Sequence, residues 1–246
     1  MKRSERIPLH YRRILLKVSG EALAGGKGFG IDEATLMSFV APVKAALDSG
    51  AQVGLVIGGG NIFRGISAAS VFDRVSADYM GMLATVINAL AFKGALESQG
   101  VECRVMSAIP IASMAEPIAS ERAIRHLEKG RVVVFAGGTG SPFFTTDTTA
   151  ALRALEIRAD VLIKATKVNG IYDKDPMRHG DALFFPELDF DTVLTLNLGV
   201  MDAAAISLCR EHNLEVRVIN IFEPNSLARL LEGEEIGSVV RSRRDN

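Results

Sequence analysis

The sequence predicts an α/β protein built on a mostly parallel sheet that is covered on both faces. Two observations carry this. Short apolar runs such as Val53–Ile57, Val132–Ala136 and Val161–Ile163 hold no charge and are rich in β-branched residues, the pattern of strands buried on both sides. Segments of helical length lie between them, so strand and helix alternate along the chain.

The elements follow in order. Ile14–Val18 is the first strand; it carries Lys17 to its end and runs into Ser19-Gly20-Glu21. Gly25, Gly26, Lys27, Gly28, Phe29 and Gly30 form a glycine-rich stretch. It is not a Walker loop, because glycine follows Lys27 where Ser or Thr would hold magnesium. Asp32 caps a helix to about Asp48, closed by Gly50. Val53–Ile57 is the second strand and leads into Gly58-Gly59-Gly60-Asn61, with Arg64 just beyond. A long helix covers Ser76–Glu97, with Met80, Leu83, Ile87 and Leu90 at helical spacing as its core face and Asp78 as the odd charge near its start. Cys103–Met106 is the third strand, and Ser120 caps a helix that ends near Gly130. Val132–Ala136 is the fourth strand, followed by a helix over Thr148–Leu155. Val161–Ala165 is the fifth and again ends in a lysine, Lys164. Asn169-Gly170 and Asp175-Pro176 mark a hairpin or irregular loop within Val168–Phe185. Asp202 caps a helix to His212. Val216–Ile219 and Gly237–Val240 are the last strands, with a short helix between, and Arg241, Arg243 and Arg244 read as a solvated tail.

Bulk properties narrow the function. The chain has 246 residues and 48% hydrophobic content, enough for one large α/β domain or two small ones. A net charge of -1 argues against a general nucleic-acid binder. Lys2, Arg3 and Arg6 are not followed by an apolar region, so no signal peptide is expected. The charge-free run Met80–Phe92 is too short for a membrane span of about 20 residues. Cys103 and Cys209 are far apart and read as core residues in a reducing, cytoplasmic setting. The four histidines form no ligand spacing, so zinc is not expected.

The chemistry concentrates at Gly137–Asp147. Here a buried strand passes through a glycine-rich turn and then a hydroxyl-rich turn into a helix. Glycines let a backbone approach a bulky anion, and a helix start offers unpaired N–H groups. Thr139, Ser141, Thr145 and Thr146 add hydroxyl donors; the alternative is a plain strand-to-helix turn with a threonine cap. Three glycine-rich strand ends, two strand-end lysines and Arg64 together suggest a polyphosphate bound at the carboxyl ends of the strands. Phosphoryl transfer needs positive charge, a metal and positioning. Lys17 and Lys164 would supply charge, with Asp147, Asp160 and Asp202 orienting them or holding Mg²⁺ directly or through water.

The segments ILLKVSGEAL from Ile14, VIGGGNIFRG from Val56, DYMGMLAT from Asp78, GTGSPFFTTD from Gly138 and KATKVNGIYDKDP from Lys164 resemble the bacterial UMP kinase family of the amino acid kinase superfamily. The resemblance runs from about Tyr11 to Val240 and implies a single domain, a three-layer α/β/α sandwich around a mainly parallel sheet. It implies phosphoryl transfer from ATP to UMP with Mg²⁺, a homohexamer, activation by GTP and inhibition by UTP. By position, Lys17, Val18, Ser19, Gly20, Gly60, Arg64, Thr166, Tyr172 and Asp175 would line the ATP site. Gly59, Asp78, Thr139, Gly140, Ser141, Pro142, Phe143, Phe144, Thr145 and Thr146 would line the UMP site. Lys17 and Lys164 would stabilise the transferring group, and Asp147 and Asp202 would organise that centre. The resemblance implies no direct protein ligand for the metal, and Gly25–Gly30 matches the GTP segment. Asn169 stands where the family often has Asp, and Ser141 where Asn is common.

Two other classes stay open on the residues. An acylphosphate-forming sibling kinase would need a carboxylate pocket in place of the uridine site. A non-catalytic nucleotide sensor would be expected to lose one of the two lysines, and both are present. A nicotinamide oxidoreductase is disfavoured because no G-x-G-x-x-G follows a strand.

Overall fold

The apolar runs assemble into a nine-stranded sheet in the order β4-β3-β5-β2-β1-β6-β10-β11-β9. The structure, a computed structural model, describes residues 8–63 and 72–243. The elements are β1 (Arg13–Val18), α1 (Gly20–Leu23), α2 (Glu33–Asp48), β2 (Gln52–Ile57), α3 (Arg74–Ser98), β3 (Cys103–Ser107), β4 (Glu116–Pro117), α4 (Ser120–Glu128), β5 (Val132–Ala136) and α5 (Thr146–Glu156). Then come β6 (Val161–Thr166), β7 (Ile171–Tyr172), β8 (Phe184–Phe185), β9 (Glu187–Asp189), α6 (Phe190–Thr195), α7 (Ala203–Glu211), β10 (Val216–Asn220), α8 (Ser226–Leu231) and β11 (Ser238–Arg241). All pairings in the main sheet are parallel except β10 with β11. β7 and β8 form a separate antiparallel hairpin, as the turn signals suggested.

Strand alternation splits the core into two layers. Ile14, Leu16 and Val18 of β1 join Val161, Ile163 and Ala165 of β6 on the face covered by α2, α3 and α8. Leu15 and Leu162 point the other way, into the layer of α4 to α7. Because side chains alternate with period two, Lys17 and Lys164 share the face of Leu15 and Leu162, towards α5. The result is the expected three-layer α/β/α sandwich.

Several expectations need correction. Only part of the expected apolar stripe of α3 faces inward: Leu90 packs against the core, whereas Leu83 and Ile87 are 47% and 50% exposed. The buried face carries Ala77, Met82, Ala84, Thr85, Val86, Asn88, Ala89, Phe92 and Leu96 instead. The helix has 25 residues and is long and apolar enough by composition to span a membrane, unlike its shorter charge-free run, yet it packs on β2, β3 and β5. The first helical residue of α4 is Ser120, and Ala119 occupies the cap position without a side-chain bond. Arg241 is not a tail residue: it sits in β11, with its guanidinium Nη2 2.7 Å from Glu187. The short strands β4 and β9 and the helices α1 and α6 have no counterpart in the sequence reading. Lys2, Arg3, Arg6, Arg64 and Arg244 lie outside the described residues.

Candidate active site

The carboxyl ends of β1, β2 and β5 bring the three glycine loops together. Val18 closes β1 with its side chain in the core, and its carbonyl accepts a 3.0 Å bond from Gly58 N. Gly20 and Gly58 then meet backbone to backbone. A Cβ on Gly20 would lie 2.3 Å from the Gly58 carbonyl oxygen, so no larger residue fits without moving the loop. Gly59 approaches α3 in the same way: its Cβ would stand 2.6 Å from the Gly81 carbonyl oxygen.

Lys17 and Lys164 occupy the same rung of the β1–β6 ladder. Asp147, in the first turn of α5, sits between them. Its Oδ1 is 2.8 Å from Lys17 Nζ, a charge contact without hydrogen-bond alignment, and its Oδ2 accepts from Lys164 Nζ at 3.4 Å. Lys164 also donates to the Val200 carbonyl. All three side chains are largely buried. Burial alone would raise the Asp147 pKa, but the two ammonium groups outweigh it and hold the carboxyl below the usual range. Burial lowers the Lys164 pKa, and Asp147 only partly restores it.

Asp202 works one step behind. It caps α7 by accepting from Ala205 N at 2.9 Å, and its carboxylate also takes the hydroxyls of Thr145 and Thr148. Thr145 in turn caps α5, accepting from the Asp147 and Thr148 N–H groups. Asp202 therefore fixes the start of α5, and hence Asp147, without touching either lysine by a hydrogen bond among the described residues. Asp160 does not belong here. It accepts from the backbone N–H groups of Arg12 and Arg13 at the amino end of the sheet, because it precedes β6 whereas Lys164 lies in the carboxyl-terminal half of that strand.

A cavity of about 680 Å³ opens beside this centre. Among the expected acceptor residues, Gly59, Asp78, Thr139, Phe144, Thr145 and Thr146 line it, and so does Gly60, expected on the donor side. Gly140, Ser141, Pro142 and Phe143 form the turn beyond and do not line it. Phe143 holds a left-handed backbone, φ 72°, that non-glycine residues rarely adopt. Its N–H donates to Asp78 at 2.7 Å, and its ring lies under the Arg74 guanidinium. Arg74 also chelates Asp78 at 2.8 Å, so this carboxylate ties α3 to the acceptor loop.

On the expected donor side, Ser19 precedes α1 with no side-chain cap bond. Thr166 bonds its own turn through the Val168 carbonyl, and Tyr172 packs on Phe184 in the hairpin. Asp175 is engaged locally with Met177 N and Arg178. Asn169 accepts from Asn220 at 3.0 Å. In the stretch Gly25–Gly30, the first three residues make a tight helical turn, Lys27 pairs with Asp32 at 3.3 Å, and Phe29 is exposed. The stretch is joined to the site: Gly30 N donates to the Asn61 carbonyl at 2.8 Å.

Sequence reasoning missed Arg153, Thr85 and Asn88, and named Asn61 only as the end of the glycine loop. Arg153 is 4% exposed; it pairs with Glu156 and donates to the Gly138 carbonyl at 3.2 Å. Thr85 accepts from Gly137 N at 2.8 Å. Their signal was polarity inside otherwise apolar helix faces, Thr85 and Asn88 within MGMLATVINALAF and Arg153 among Ala150, Ala151 and Ala154.

Glycine loops, paired lysines and a helix start at the carboxyl edge of a parallel sheet define a phosphate-handling α/β/α protein. The amino acid kinase family model matches residues 12–220, and the chain belongs to that family. It is 57% identical over 236 residues to a uridylate kinase of Xanthomonas oryzae, covering 96% of this chain and 98% of that protein. A solved UMP kinase from Bacillus anthracis superposes with a TM-score of 0.91 at 39% identity, over 95% of this chain and 97% of that one. A UMP kinase from Ureaplasma parvum gives 0.86 at 36% identity, over 94% and 99%.

Proposed function

We propose that the protein transfers the γ-phosphoryl group of Mg-ATP to UMP, yielding ADP and UDP for pyrimidine nucleotide synthesis, and that it acts as one catalytic domain. The observation that carries this is the lysine pair in one ladder rung, bridged by Asp147, beside a cavity of nucleotide size. The likeness to uridylate kinases over nearly the whole chain supports it.

In this reading a UMP phosphate oxygen attacks the γ-phosphorus in line, and the bond to the bridging oxygen breaks as ADP leaves. The attacking oxygen is already anionic at neutral pH, so no base is needed. Asp147, held ionised by two ammonium groups, serves to fix them. Lys17 and Lys164 then face the charge on the transferring group. Lys17, Ser19, Gly20, Gly60, Thr166, Tyr172 and Asp175, with the backbone of Val18 and with Arg64, hold ATP; Gly59, Asp78 and the turn Thr139–Thr146 hold UMP.

Mg²⁺ accompanies ATP. Among the described residues no three carboxylate, imidazole or thiolate groups converge, and Asp147 is already matched by two cations. In this reading Mg²⁺ would be carried on the nucleotide, as the family resemblance implies, and would neutralise phosphate charge when bound.

The same reading includes a cytoplasmic homohexamer, activated by GTP at Gly25–Gly30 and inhibited by UTP. The exposed apolar face of α3, with Tyr79, Leu83 and Ile87, supports assembly. Free buried thiols at Cys103 and Cys209, each pushed up to about 12 by burial, support a reducing setting. An ADP-release assay over nucleoside monophosphates, acetylglutamate and carbamate tests the activity. UMP is expected to dominate; turnover of an acyl substrate instead would overturn the reading.

A further inference from the structure

Helix α3 meets every acceptor-side loop along one ridge. Asp78, Gly81, Thr85 and Asn88 follow the three-and-four spacing of a single helix face. Asp78 holds Phe143 N, Gly81 abuts Gly59, and Thr85 holds Gly137 N. Asn88, which is fully buried, is the deepest of these contacts.

We propose that Asn88 is a positioning residue for phosphoryl transfer, acting through Asn61 to fix the loop Gly58–Asn61; this rests on the kinase reading above. The two amides face each other reciprocally. Asn88 Nδ2 donates to Asn61 Oδ1 at 2.7 Å, and Asn61 Nδ2 donates to Asn88 Oδ1 at 3.0 Å. Each has one N–H left. Asn88 gives its second to the Gly58 carbonyl at 2.7 Å, and Asn61 gives its second to the Gly30 carbonyl at 2.8 Å. All four amide hydrogens are thus placed, and the two backbone acceptors dictate which way each amide points. The Gly58 carbonyl so held is the atom that abuts Gly20, so the clamp sets the spacing between the β1 and β2 loops on which donor and acceptor must align. A buried network satisfied in this way specifies one arrangement, whereas a half-satisfied one destabilises it.

Asn88→Asp keeps the shape but turns a carboxylate oxygen on the Gly58 carbonyl. It is expected to lower kcat roughly tenfold or more, with KM for ATP and UMP changed by less than about threefold. Amide exchange should quicken at residues 58–61 and at Gly30 while β6 keeps its protection. Leu96→Val, in the same helix but remote from the loops, controls for stability and should leave kcat unchanged. Asn61→Ser opens the clamp from the loop side and stands in if Asn88→Asp does not fold. Unchanged kcat, or a loss that only follows the melting temperature as in the control, overturns the proposal. If the wild type does not turn over UMP, the kinase reading fails separately, and exchange at residues 58–61 still decides the clamp.

Discussion

Lys17 and Lys164 are direct partners in the parallel β1–β6 ladder. That register puts two ammonium groups at one level and on one face, where like charges repel. The arrangement persists because Asp147 lies between them, 2.8 Å from one and 3.4 Å from the other. A polyanion arriving beside the trio finds two cations already held in place.

Lys17→Ala and Lys164→Ala are each expected to fold and to lose kcat by on the order of 10² or more, since fixed charge in a water-poor site is worth several kcal/mol. Steady-state kinetics with a melting curve check this. Turnover near the wild-type level in either variant removes that lysine from the catalytic role.

Asp147→Asn tests the bridge through pH. Lys164 is depressed by burial, and the Asp147 charge acts against that depression. Removing the charge lets the Lys164 pKa fall further, so its ammonium is lost at lower pH. The alkaline limb of kcat should therefore move towards neutrality in Asp147→Asn. Stability carries the opposite limb. The Asp147 pKa lies below its unfolded value, so its contribution is present above the ordinary carboxylate range and lost as pH falls through the depressed one. Acid unfolding should be less steep in the variant. An unmoved alkaline limb would mean that Lys164 does not titrate in the rate-determining complex.

Asp78→Asn should raise KM for UMP roughly tenfold, because a hydrogen bond to a charged group is worth about 1.5–3 kcal/mol. The carboxylate lines the cavity and holds Phe143, on the acceptor side alone. KM for ATP should stay within about twofold. Equal shifts in both constants would place Asp78 outside the acceptor site.

The site was more legible in the sequence than the packing was. Uncharged strands followed by glycines mark the carboxyl edge, and two strands ending in lysine mark the charge. Strand direction also excludes Asp160, since a residue that precedes β6 must lie at the opposite edge from Lys164. The face of α3 was illegible for a physical reason. A helix apolar nearly all round has no unique stripe, and its sheet face is chosen by small and polar residues that let glycine loops come close. Periodicity weights Leu83 and Ile87 above Ala84, Thr85 and Asn88, so it selected the outward face. Arg64 was legible only as a motif residue.

That outward face gives a prediction of its own. Tyr79, Leu83 and Ile87 are 43%, 47% and 50% exposed and one helical turn apart. If they bury against another subunit of the proposed homohexamer, Leu83→Glu combined with Ile87→Glu should lower the sedimentation coefficient to that of smaller species. The isolated fold should survive, since neither side chain enters the core. An unchanged hexamer would assign assembly to another surface.

The last prediction concerns GTP and the stretch Gly25–Gly30. This stretch fails the Walker pattern, and in the proposed reading the substrate phosphates are held by the loops after β1, β2 and β5. It is nevertheless joined to one of them, because Gly30 exchanges hydrogen bonds with both the backbone and the side chain of Asn61. A nucleotide held here would therefore bear on the Gly58–Asn61 loop directly. Coupling between such sites is typically about 1–3 kcal/mol, which caps the change in affinity at roughly 5- to 150-fold. Lys27 is the basic residue of the stretch, and its side chain is 65% exposed and paired with Asp32 at 3.3 Å. An exposed pair of this kind adds little stability, so Lys27→Ala should fold normally. GTP titrated at subsaturating ATP should activate the wild type, and Lys27→Ala should need markedly more GTP for the same effect. Simple competition with ATP, or an unaltered GTP response in Lys27→Ala, would leave this stretch without an effector role.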